Sequence, residues 1–233
     1  VWQDVAQAAR GLGEGVEDST LRADAYLLAG VVAAEKQSDP QLAMECFRLC
    51  LDHRPQDFEA FRRILALYRE TENWEKLADT LRVRLMVERR APVRVDLLWQ
   101  LAEVVCKHLD EGEEAKTRIH ELLRLKPDHV EALTAVAKLH FEAEEWQQAA
   151  DALSKKSRLE KDPEELKRVF FRLGEIYTDH LPDAQKAVAS FSRVVTADNS
   201  HLPALNRLVQ IHEKLGEWKA ALAVSSRILQ VEK

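Results

Sequence analysis

Eight histidines, three cysteines and forty acidic residues are the side chains with which this chain of 233 residues could hold a metal or move protons. A metal site gathers different residues at one point. These histidines do the opposite: His108 and His180 lie 72 residues apart, and so do His140 and His212. A residue returning at a fixed interval occupies equivalent points of a repeated unit, where its work is packing. Cys46 and Cys50 stand at i, i+4, with Cys106 further on. An odd count without a Cys-x-x-Cys pair excludes a disulfide framework and a cysteine-based zinc site. The three are expected as small buried apolar residues, with redox sensing a remote alternative. There is no His-Glu-x-x-His, no Gly-x-Ser-x-Gly and no glycine-rich phosphate loop. No catalytic residue, metal or cofactor is expected, and the chain reads as a non-enzyme.

The interval that disposes of the histidines organises everything else. Four of the five tryptophans, Trp2, Trp74, Trp146 and Trp218, are spaced by 72 residues. Ala60, Ala132 and Ala204 share the register, as do Ala43, Ala115 and Ala187, and the pairs Leu101 and Leu173, Pro55 and Pro127. Within each unit the small or apolar residues that open alternate helices (Ala43, Leu77, Ala115, Ala149, Ala187, Ala221) step by 34 and 38 in turn. A step of about 34 is the length of a helix–turn–helix repeat. One of the four extra residues falls in the internal turns of hairpins one, three and five. The other three fall at the ends of hairpins two and four, as an added helical turn.

Apolar residues recur at three and four within these segments: Leu77, Leu81 and Leu85, or Leu101, Val104 and Val105 followed by His108. All seven prolines sit at joints or first helical turns, Asp39-Pro40 reading as cap and first residue. Gly30 and Gly174, 144 residues apart, are the two glycines inside helices. Each costs about 1 kcal/mol against alanine, so close backbone contact between helices is expected there. The predicted architecture is all-α: a half repeat over 1–18, then hairpins at about 20–54, 56–91, 92–126, 128–161, 163–198 and 200–233. That makes about thirteen helices in one array over 1–233. Both ends fall on second helices, so the chain is expected to be a fragment of a longer array.

These residues resemble the tetratricopeptide repeat (TPR) family, whose first helix carries a large residue, Leu-Gly and Tyr, and whose second carries Ala, a large residue and Ala before a closing Pro. Hairpin five follows it with Phe170, Leu173-Gly174, Tyr177, Ala187, Phe191 and Val194. Hairpin one offers Gly30, Ala43, Phe47 and Pro55, and hairpin three Ala115, Ile119 and Pro127. In the even hairpins Leu65, Ala137 and Val209 take the glycine position, and Arg84 and Lys156 the last small one. The resemblance implies a right-handed α-solenoid of stacked antiparallel helix pairs. It also makes the Trp series structural, and implies that first helices line a concave, partner-binding face.

Composition bounds the partner. Seven glycines and seven prolines suit helices, and net charge −6 with no basic stripe argues against nucleic acid. No apolar run reaches the roughly 18 residues of a membrane span, and a cytoplasmic location is expected. The family's inward positions map to Arg62, Arg63, Arg69, Trp99, Gln100, Glu103, Lys138, Phe141, Phe171, Arg172, Glu175, Asn206, Arg207 and Gln210. Six bases against two acids in an acidic chain imply a groove for an acidic or amphipathic peptide, helix or small domain of another protein. Asn206 is the one Asn on a first helix, so the family's carboxylate clamp for chaperone tails is not expected. The alternative is a structural spacer, or an array segment that associates end to end, with no groove ligand.

Overall fold

The computed structural model describes the backbone of residues 2–15 and 17–231 and, within them, the side chains of all but 2–6 and Gln37. Thirteen α-helices, one π-helical turn and no strand occur among the described residues. They fall into two compact units, 1–125 and 126–233. The first contains α1 (Trp2–Gly15), α2 (Ser19–Val32) with the π turn Ala33–Gln37, α3 (Pro40–His53), α4 (Phe58–Glu70), α5 (Trp74–Val87), α6 (Ala91–His108) and α7 (Gly112–Leu125). The second contains α8 (Val130–Glu142), α9 (Trp146–Leu159), α10 (Pro163–Asp179), α11 (Ala184–Ala197), α12 (Leu202–Lys214) and α13 (Trp218–Val231). Within each unit every helix packs on the next, and the short turns make neighbours antiparallel.

The helices follow one another in antiparallel order through each unit, and the added turn lies elsewhere than expected. α5 and α9 have 14 residues like α3 and α7, whereas α6 and α10 have 18 and 17 against 13 in α4, α8 and α12. The extra residues therefore open the long first helices instead of closing the second ones. Glu88 and Glu160, one register apart, mark the boundary. Each carboxylate accepts from the next two backbone N–H groups, at 3.0 and 2.9 Å and at 2.9 and 3.1 Å, which ends one helix before another begins. Hairpins two, four and six share one turn: Glu72, Glu144 and Gly216 have φ of 53°, 59° and 73°. After them Asn73, Glu145 and Glu217 N–H donate to Tyr68, His140 and His212 C=O at 2.8 to 2.9 Å, the six-to-one bond of a Schellman cap.

The core consists of the register residues. Ala43, Ala115 and Ala187, and Ala60, Ala132 and Ala204, are fully buried where helices cross. Gly30 and Gly174 are explained by rings instead of by backbone contact, and Gly11 and Gly13 also lie inside a helix, α1. A Cβ on Gly30 would lie 2.6 Å from Phe47 Cε1, and one on Gly174 would lie 2.6 Å from Phe191 Cε1. Both rings are fully buried and have no room to withdraw. Cys46 and Cys50 are buried as expected, and burial raises their thiols to about 11 and about 12. Cys106 is exposed, against expectation, because it occupies the outer side of α6 just after the buried pair Val104 and Val105.

Candidate interaction surface on the first helices

Consecutive first helices stand side by side within each unit, tied by side chains at recurring positions. Arg69 of α4 donates to Gln100 Oε1 of α6 at 2.6 Å, and Gln100 donates in turn to Asp96 at 2.7 Å. One register on, the same two positions hold Phe141 of α8 and Arg172 of α10, with the guanidinium carbon 4.0 Å from the ring centroid. The contact is kept while its chemistry passes from hydrogen bond to cation–π. A second tie recurs at 144 residues. Arg63 of α4 meets Glu35 in the π turn after α2 at 2.9 Å, and Arg207 of α12 meets Asp179 at the end of α10 at 3.0 Å.

The mapped residues therefore do lie on first helices in contact with one another, Arg62, Arg63, Arg69, Trp99, Gln100 and Glu103 in the first unit and the remainder in the second. The expected basic excess is a different matter. Arg62 pairs with Glu59 at 3.0 Å, Arg63 with Glu59 and Glu35, Lys138 with Glu142 at 3.5 Å, Arg172 with Glu175 at 3.3 Å, and Arg207 with Asp179. Most of these acids lie outside the mapped positions, one turn along the same helix or across to a neighbour. Long side chains find them there, and a list of inward positions does not contain them. Glu59 shows the consequence: bonds from Arg62 and Arg63 hold its carboxyl below the ordinary carboxylate range.

The aromatic members are partly structural. Phe141 sits edge-on to Trp146 at 5.0 Å, and Trp146 stacks on His180 at 3.6 Å and 9°. With Arg172 above Phe141, four side chains from α8, α9, α10 and the turn after it form one continuous stack. Phe171 leans on Phe191 at 5.5 Å and on His201 at 5.3 Å, joining α10, α11 and the start of α12. Trp99 is half-buried at the equivalent position in α6. Lys138, Arg172, Asn206 and Gln210 are exposed around the half-buried rings of the second unit.

The histidines serve the repeat. Trp74 stacks on His108 at 3.7 Å, matching Trp146 on His180. His140 and His212 face Glu145 and Glu217 at 2.5 and 2.7 Å. His129 and His201 cap α8 and α12 by accepting at Nδ1 from Ala132 and Ala204 N–H, both at 3.2 Å. Sequence reading missed these imidazole caps, although the Asp57 that caps α4 from the equivalent position was the available signal. Among the described residues no group of three His, Cys, Asp or Glu side chains is placed to hold a metal. No helix among them is long and apolar enough to cross a membrane. The tryptophans do not share one environment: Trp74 and Trp146 are half-buried, Trp218 is exposed, and the Trp2 side chain lies outside the described residues.

No protein-family model matches the chain, and no curated protein sequence matches it. Solved structures do. The crystal structure of YrrB, a TPR protein with an unusual peptide-binding site, aligns with a TM-score of 0.52 at 17% identity, over 86% of this chain and 97% of that one. Two crystal structures of MamA align with TM-scores of 0.51 and 0.53 at 18% identity, over 72% and 74% of this chain and 94% and 90% of theirs. Hairpin length, register, glycine–ring pairs and these superpositions agree that the chain has a tetratricopeptide-type all-α fold.

Proposed function

We propose that the chain is a non-catalytic scaffold that binds a peptide or helix of another protein on its first-helix face, most strongly on α8, α10 and α12. The observation that carries this reading is Arg172 over Phe141. The guanidinium is half exposed, is fixed in orientation by the ring, and gives one donor to Glu175. An arginine has five N–H donors, so most of its fork stays available to a ligand carboxylate. Lys138 and Asn206 flank it, and the exposed edges of Phe141 and Phe171 suit the apolar side of an amphipathic segment. YrrB, of the same fold, has a peptide-binding site, which supports the class of ligand. A backbone already held by its helix pairs loses little entropy on binding.

The test is selection of binders from a displayed peptide library on the intact chain, followed by titration at low and moderate salt. Arg172→Glu is expected to weaken the selected peptides about tenfold or more and to flatten the salt dependence, as loss of a charge-assisted pair does. Arg62→Glu reports on the first unit in the same way. Affinity and salt dependence unchanged in both variants would discard the first-helix face as the binding surface.

A further inference from the structure

Two cavities lie between α3 and α5 in the first unit, over buried residues of α4. One, of about 160 Å³, is mostly apolar, with Leu51 and Val83 beside Phe61 and Ile64. The other, of about 460 Å³, is polar, with Tyr68, Arg48 and Lys76 in its wall. Arg48 borders both. Tyr68 is the group that the repeat does not explain. The register makes it equivalent to His140 and His212, whose rings meet Glu145 and Glu217. Here the glutamate position holds Asn73, and the Tyr68 hydroxyl makes no hydrogen bond among the described residues, although the side chain is only 4% exposed. A tyrosine buried to that degree ordinarily finds an acceptor.

The surroundings say what the acceptor is. Burial raises the Tyr68 phenol above its ordinary range, and the charge of Arg48 opposes the rise, so at neutral pH the hydroxyl is a donor near a guanidinium. Arg48 gives one bond to Asp52, at 2.8 Å, and keeps four of its five donors. Lys76 has no ion-pair partner among the described residues. The two acids of the same wall are engaged: Asp39 accepts from Leu42 N–H at 3.0 Å, and Glu45 accepts from Arg10 at 2.9 and 3.3 Å. The cavity thus gathers free donors, and a carboxylate completes it. One negative charge suits two bases that face two acids better than a dianion does.

We propose that the groove between α3 and α5 binds an acidic segment of a partner protein, with a Glu or Asp carboxylate among Tyr68, Arg48 and Lys76 and an apolar side chain in the cavity over Phe61 and Ile64. Ile64 and Tyr68 are one turn apart on α4, about 6 Å. Two residues of extended chain span about 6.8 Å and point to one side. The segment is therefore extended, with its apolar residue and its acid two positions apart. A free small acid would leave the apolar cavity empty. The site shares no residue with the first-helix face.

The probe is an array of acetylated heptapeptides with Leu and Glu two positions apart in a varied background, beside sets with Gln or phosphoserine for Glu and Ala for Leu. The labelled intact chain is expected to bind the Leu–Glu set about fivefold or more over the Leu–Gln and Ala–Glu sets. The best Leu–Glu peptides are then titrated by fluorescence anisotropy. Tyr68→Phe should weaken them about tenfold, as loss of a hydrogen bond to a charged group does. Lys76→Glu should weaken them at least as much, and Arg172→Glu should change nothing. The melting temperature of Tyr68→Phe should equal that of the native chain, because the hydroxyl bonds nothing in the free protein. Four results overturn the proposal. The Leu–Glu set shows no preference; Arg172→Glu abolishes binding while Lys76→Glu spares it, which assigns the peptides to the first-helix face; the phosphoserine set binds more tightly than the Glu set; or Tyr68→Phe melts several degrees lower, which shows the hydroxyl already bonded.

Discussion

Hairpin five, in the second unit, and hairpin three, in the first, solve one packing problem with different residues. Gly174 lies under Phe191, and one register earlier Ala102 lies with Ile119, all four buried; hairpin one repeats the first solution with Gly30 and Phe47. A methyl added on the first helix is removed, with more, from the ring position of the second. The repeat conserves the volume of the pair and leaves each member free. This explains how a chain can keep a strict 72-residue register while matching the family's preferred residues closely in only some of its hairpins.

The largest effect is expected where that pairing is broken on one side. Gly174→Ala puts a Cβ 2.6 Å from a ring that cannot move. Overpacking of this kind costs about 1–3 kcal/mol, against which alanine's better helix propensity returns about 1 kcal/mol. Phe191→Ile alone leaves a void and costs about 1–2 kcal/mol. The double variant recreates the Ala102–Ile119 pair and should recover most of both losses. Urea denaturation of the four proteins measures the coupling, expected at about 1 kcal/mol or more. Simple additivity would show that the two hairpins are alike by accident.

The same logic separates what could be read in the sequence from what could not. Spacing identifies equivalent residues, so the helices and the Asp39 cap were legible, and so was a close approach at Gly30 and Gly174, though not the rings that make it. It does not say what a long side chain reaches. Arg63 finds Glu35 and Arg207 finds Asp179 across 28 residues, and those acids neutralise a surface expected to be basic. Nor does register locate an insertion within a joint. Glu88 and Glu160 end α5 and α9 by taking up the following N–H groups, so the added turn belongs to α6 and α10. Trp218 shows a related limit: it shares a register position with the half-buried Trp74 and Trp146, yet it is exposed.

A medium effect should distinguish the units by pH. In the first, Arg82 of α5 binds Glu111 and Glu114 at the start of α7 and Asp79 on its own helix. The bond from Arg82, helped by Arg118, lowers the Glu114 carboxyl from its ordinary 4.5 to about 2. The equivalent positions in the second unit are Ser154 and Lys186, and no such network can form there. A lowered folded-state value means that the stabilisation is complete above pH 4.5 and is lost as the pH falls from there to about 2. With solvent screening allowed for, it amounts to about 1 kcal/mol. Glu114→Gln should lower stability by that amount at neutral pH, and the variant and native melting curves should converge near the lower limit. A constant gap across the range would assign the loss to packing instead of charge.

The smallest effect concerns the first turns of the short first helices, where the two units use different acceptors at one position. Asp57 Oδ1 accepts from Ala60 N–H at 2.9 Å, whereas His129 and His201 accept through Nδ1 at 3.2 Å. A carboxylate caps and also carries the negative charge that a helix N-terminus favours. An imidazole accepts only while Nδ1 is unprotonated. Once protonated it is a donor at both nitrogens and brings a positive charge to the positive end of the helix. For His129 the same atom also lies 3.2 Å from Glu131 Oε2, so the cap there is shared with a second group. His201 has its ring against Phe171 and gives the cleaner reading. Amide hydrogen exchange should therefore show protection at Ala204 falling roughly two- to tenfold against Ala60 in His201→Ala, the range of a lost cap. His201→Asp should keep the protection at Ala204, because both helices then start on a carboxylate. If protection at Ala204 is unchanged in His201→Ala, the ring is not the cap, and the units differ at this position in sequence alone.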